Sequence, residues 1–185
     1  MRTLRRAALV AAVVLLAQGA WAQSLSDAQL ATLKAAILAD SNLNSQPNTP
    51  DGNFEVARLL NLPASPNFIV WKTKVQIDDI GDAINSAELA GLSTLNSTRL
   101  QTLVQLSGRG VNPSLANRRA FFDDIFSGSG GTQTRAALLI LWKRLATYGE
   151  KILKAGGTGT DASPATLGFE GTLSYSAVGQ ARNLP

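Results

Sequence analysis

The sequence contains no cysteine and no histidine. Without thiolate or imidazole a chain cannot assemble a Ser-His-Asp triad, a cysteine nucleophile, a zinc finger or a haem site with its usual axial ligands. No disulfide stabilises the fold, so packing must hold it. A Ser-Lys arrangement at the S-x-x-K spacing is missing too, because no serine stands three residues before a lysine. Charge is sparse, with 17 Lys+Arg against 13 Asp+Glu in 185 residues. Carboxylate chemistry is the one enzymatic route that these absences leave open.

Methionine occurs once, at the head of a leader pattern. Arg2, Arg5 and Arg6 make a positive start, Ala7 to Leu16 is apolar, and Ala20-Trp21-Ala22 puts small residues at the two positions a signal peptidase reads. The pattern predicts a secretory signal peptide over residues 1–22 and a mature chain beginning at Gln23. A membrane span needs about 20 predominantly apolar residues, and Gln18, Gly19 and Gln23 interrupt this run. Removing the leader takes away three arginines and leaves 14 basic against 13 acidic residues. The pI of about 9.8 is therefore no sign of nucleic-acid binding, which shows as basic residues gathered on one face. Arg118-Arg119 and Lys143-Arg144 read as solvated helix faces. Neither a nucleic acid nor, after leader removal, a membrane is expected as a partner.

Residues 23–185 are long enough for a single helix-rich globular domain with a sizeable core. The expected class is mainly α with a small β element (α+β): five to six helices around a long central helix, plus two paired strands. Ser26 to Gln29 is a capping-box pattern, after which Leu30, Leu33, Ile37 and Leu38 recur at helical spacing. Further helices are expected over 54–60, 78–90, 97–106, 113–126 and 133–155. The last carries Leu138, Leu141, Leu145, Tyr148 and Ile152 at steps of three and four, with Trp142 widening the stripe into a core anchor. Residues 67–75, rich in β-branched and aromatic side chains, predict a strand whose partner is residues 166–175.

Two acidic groups invite a catalytic reading, Asp78-Asp79 with Asp82, and Asp123-Asp124. Asp78 and Asp82 stand four apart on one helix face, and acids near a helix start complement its dipole, which favours a structural role. The glycine clusters 127–135 and 154–164 lack both the Walker spacing and the G-x-G-x-x-G fingerprint. The first reads as a helix-to-helix turn and the second as a flexible connector. No residue is assigned a catalytic, cofactor-binding or metal-ligating role; no cofactor is expected, and the chain is not expected to be an enzyme.

The runs "VWKTKVQIDDIGDAINSAELAGLSTLNSTRLQTL" and "FFDDIFSGSGGTQTRAALLILWKRLATYGEKILKAGGTGTDASPATLGFEGTLSY" resemble a family of small uncharacterised proteins of tailed bacteriophages and prophages, often encoded among virion genes. The similarity covers about Leu25 to the C-terminus and is strongest from Phe121 through Leu145 to "TGTDASPATLGFEG". It implies a non-enzymatic virion or morphogenesis protein whose partners are other virion or assembly proteins, or further copies of itself, and it implies no mechanism. The leader departs from that pattern, whose members begin near the equivalent of Ser24. A working leader predicts a periplasmic or secreted chain, and its failure a chain in the virion or host cytoplasm. The alternative function is an exported periplasmic binding or adaptor module that holds a ligand or peptide around Trp71 and Trp142.

Overall fold

The computed structural model describes residues 24–108 and 110–185; the leader expected over residues 1–22 lies outside them. The described chain is mainly α with a small β component, about 56% helical, with ten helices and two two-stranded antiparallel sheets.

Helix α1 (Asp27–Ala39) begins where its capping box requires. Ser26 Oγ accepts from the Gln29 N–H, and the Gln29 side chain accepts from the Ser26 N–H. Leu30, Leu33 and Ile37 form its buried side, whereas Leu38 faces solvent. Asp40 ends α1 and caps α2 (Ser41–Asn44). Helix α3 (Pro50–Leu60) starts before Phe54, because Thr49 caps it and Pro50 occupies the first turn, where no N–H is needed. After β1 (Ile69–Trp71), the helix expected over 78–90 divides into α4 (Ile77–Ala83) and α5 (Ser86–Ala90), the second capped by Asn85. Ser93 caps α6 (Thr94–Ser107). Asn112-Pro113 does not open α7 (Ala116–Ile125): the Asn112 side chain accepts from Ser114 instead and closes a turn ahead of it.

The long helix expected over 133–155 is absent. Helix α8 (Thr132–Leu141) ends at Trp142, and β2 (Lys143–Leu145), α9 (Tyr148–Ile152) and β3 (Lys154–Gly156) follow. No local breaker ends α8; the cause is tertiary. Strand β1 takes the segment as its antiparallel partner, Ile69 opposite Leu145 and Trp71 opposite Lys143. Outside that pairing the Lys72 N–H donates to the Trp142 carbonyl at 2.8 Å and the Ala146 N–H to that of Phe68 at 2.9 Å. Helix propensities differ by only about 0.7 kcal/mol per residue among ordinary residues, too little to resist such pairing. Thr147 and Glu150 then form a capping box that starts α9. The supposed seam is thus dismembered: Leu138 is buried in α8, Leu145 is exposed on β2, and Tyr148 and Ile152 belong to α9.

The expected strand partnership is corrected as well. Strand β4 (Thr166–Leu167) is two residues long and pairs with β3, not β1. The C-terminal segment hydrogen-bonds to β1 through Ala165, whose N–H donates to the Ile69 carbonyl (2.9 Å) and whose carbonyl accepts from the Trp71 N–H (3.0 Å). Beyond β4 the chain leaves the sheet and ends in an unforeseen helix, α10 (Tyr175–Arg182), capped by Ser174. The glycine-rich segment 154–164 is likewise built, not a loose connector. The Gly159 carbonyl accepts from the Ile69 N–H at 2.8 Å, and Gly157 and Gly159 have φ of +86° and +75°. A Cβ on Gly159 would meet the Phe68 ring at 2.0 Å. The segment 127–135 holds the expected turn, a single 3₁₀ turn over Ser129–Gly131 between α7 and α8, and its last four residues already belong to α8.

Three apolar clusters form the interior. One joins α1, α3 and α10 through Leu33, Ile37, Val56, Leu60 and Val178, with Phe169 and Leu173 filling in from the segment before α10. Another joins α4, α6, α7 and α8 through Ile80, Leu103, Phe122, Ile125 and Leu138. Trp142 anchors that second cluster at 2% exposure, with its ring edge-on to Phe122 at 5.5 Å. The smallest gathers Ala64, Phe68, Val70, Ala146 and Ala165 about β1.

Candidate functional site

The two acidic groups do not converge into one centre. Asp78 and Asp79 lie in the first turn of α4, where they complement the helix dipole. Asp124 pairs with Arg99 at 2.6 Å, while Asp123 lines a different cleft. Among the described residues no group of three or more His, Cys, Asp or Glu side chains could hold a metal ion, and no helix is long and apolar enough to cross a membrane.

The basic pairs are not both solvated helix faces. Arg118 is exposed, but the Arg119 guanidinium stacks 3.9 Å from the centre of the Trp71 ring, and Lys143 and Arg144 sit on a strand. Lys143 meets Asp161 at 3.0 Å. Arg144 donates two parallel bonds to Glu150, at 2.7 and 2.8 Å, and a third to Glu170 at 2.9 Å. Glu150 is buried and also accepts from the Thr147 and Gly171 N–H groups. Burial alone pushes its carboxyl upward, but the Arg144 guanidinium and the two backbone donors together hold it below the ordinary 4.5. The same bonds push the Arg144 guanidinium above its ordinary value. This network ties β2, α9 and the segment after β4 together.

Trp71 and Trp142, far apart in sequence, line one cleft of about 390 Å³ with Arg119, Asp123, Arg135 and Leu139. Burial lowers the Arg119 guanidinium from its ordinary value, opposed by the nearby Asp123 carboxylate. Arg135 is committed to the Phe126 and Gly128 carbonyls, where it braces the glycine turn. The Trp142 indole N–H, buried, has no hydrogen-bond partner among the described residues.

A second cleft, of about 370 Å³, opens beside α9, with Asp40, Ser65, Tyr148 and Lys151 among its walls. The Tyr148 hydroxyl donates to Asp40 at 2.9 Å. That bond, joined by the Asn42 and Leu43 N–H groups, holds Asp40 below the usual carboxylate range, and burial with the same bond raises Tyr148. Asp40 is thereby occupied as the cap of α2.

Helix α6 forms a ridge between two apolar grooves. At 3.6 residues per turn, Ser97, Leu100, Gln101 and Val104 fall on one flank and Thr98, Thr102 and Leu106 on the other. The first flank borders a groove of about 580 Å³ shared with α4 and α5, lined by Ile77, Ile80, Ile84 and Leu89. The second borders a groove of about 270 Å³ against α7, lined by Leu103 and Phe121. Leu106 is 81% exposed and Leu95 69%. This doubly grooved ridge escaped the sequence reading, because α6 alternates apolar residues with Thr, Ser and Gln and shows no single stripe.

Compared with protein-family models, curated proteins and solved structures, the chain matches none.

Proposed function

We propose that this chain is a non-enzymatic structural or assembly component of a tailed-phage or prophage particle, working through protein–protein contacts. The sequence resemblance motivates the particle, and the exposed apolar ridge of α6 with its two grooves motivates the contacts. Contiguous apolar surface of this kind marks interaction sites on proteins that are otherwise soluble. The absence of histidine and cysteine from the sequence removes the commonest catalytic groups and is consistent with such a role. Quantitative mass spectrometry of purified particles tests the proposal: the chain is expected at a fixed ratio to a capsid or tail protein. Consistent absence from intact particles removes it.

A second reading, an exported binding or adaptor module, is favoured by the meeting of Trp71 and Trp142 in one cleft. Its test is cell fractionation with N-terminal sequencing. A periplasmic form beginning at Gln23 supports export, and an unprocessed form confined to the cytoplasm overturns it.

A further inference from the structure

We infer that the occupant of the α6 grooves is a second copy of this chain, docked head to tail so that the α6–α7 flank of one copy seats on the α4–α5 flank of the next. The inference rests on the reading above that the chain works through subunit contacts, and it names the surface.

Three observations carry it. The grooves lie on opposite flanks of one helix, so a single copy presents two different apolar surfaces with Leu106 projecting beside one of them. Their rims are opposite in charge: Asp78 and Asp82 border the α4–α5 groove, whereas Arg99 and Arg118 border the α6–α7 groove. Among the described residues no ion pair within the chain engages Asp78, Asp82 or Arg118, although Arg99 is held by Asp124. A two-fold axis pairs such unlike surfaces reciprocally only when both face the same partner, and two grooves on opposite flanks of α6 face apart. They mate heterologously, and such contacts repeat into rings or open chains.

The lack of native cysteine gives a clean test on the full chain. Ser86 borders the acidic groove and Thr102 the basic one, both exposed, so Ser86→Cys and Thr102→Cys leave the charged and apolar groups in place. With a short bismaleimide, each single variant alone is expected to remain uncross-linked, their mixture to give a dimer, and the double variant to give a ladder of dimers, trimers and higher species. Asp78→Lys with Asp82→Lys, or Leu106→Asp, should abolish the ladder while circular dichroism and thermal unfolding stay near native. Either single variant cross-linking to itself overturns the head-to-tail arrangement. So does a chain that sediments as a monomer at every concentration, or one whose substituted positions react only with another particle protein. A monomeric chain still found in particles sinks this inference and leaves the proposed function standing; a laddering chain absent from particles does the reverse.

Discussion

At the scale of single residues, the substitutions with the largest expected effects sit where burial leaves no alternative partner. Trp142→Ala should cost about 3–5 kcal/mol in reversible urea unfolding, since the ring is buried against Phe122. Glu150→Gln withdraws the charge that neutralises Arg144 and should cost about 3 kcal/mol at neutral pH, at the lower end for broken buried pairs because Arg144 is partly solvated and keeps Glu170. Because the folded Glu150 carboxyl is held below 4.5, its stabilisation is present above that value and is lost as pH falls through the folded pKa. Urea melts across an acid series should therefore show the native chain losing stability while Glu150→Gln declines less, the two converging. Glycine positions divide by what surrounds them. Gly157→Ala should cost about 1–3 kcal/mol, because φ is positive and the new Cβ would meet Ala165 Cα at 2.6 Å. Gly81→Ala, inside α4 with open space around it, should instead stabilise by about 0.5–1 kcal/mol; equal losses at both sites would contradict this division.

At the scale of elements, what the sequence disclosed and what it hid have separate physical causes. Local signals were legible: the Ser26 box, the glycine turn before α8 and the apolar face of α1 all use bonds closed within a few residues. The end of α8 was not, because it is set by hydrogen bonds from Lys143–Leu145 to Ile69–Trp71, some seventy residues distant. One local clue stood against the long helix, for Thr147 and Glu150 are a capping box that announces a fresh start at Tyr148. The Trp71–Trp142 cleft was partly legible, since both residues are apolar anchors, but Arg119 over Trp71 was hidden by its resemblance to any surface arginine. Helix α10 was hidden because it is short and follows a segment with strand-like composition, although Ser174 marks its start. A chain truncated before Ser174 would leave Val56, Ala57 and Leu60 without the buried Val178 and Ala181. Such a truncation should be insoluble or unfold without a cooperative transition; a soluble chain with a native-like melt would show α10 to be an appendage.

At the scale of the whole molecule, the clusters divide the chain unequally in sequence. The cluster of α4, α6, α7 and α8 draws on residues 71 to 142, whereas the cluster of α1, α3 and α10 joins residues near both ends, with Lys34 donating to the Leu184 carbonyl at 2.6 Å. Synthesis runs from the N-terminus onward, and the cluster that joins α1 and α3 to α10 cannot close in that order. Helix α1 leaves the ribosome well before its partner α10, with the sequence of the whole central cluster made between them. During synthesis the central cluster has all its sequence in hand earlier, and the apolar faces of α1 and α3 stay without their α10 partner until that helix is made. Closure of that cluster waits for α10, and any chaperone or export machinery that engages the nascent chain before then meets those faces while they are still uncovered.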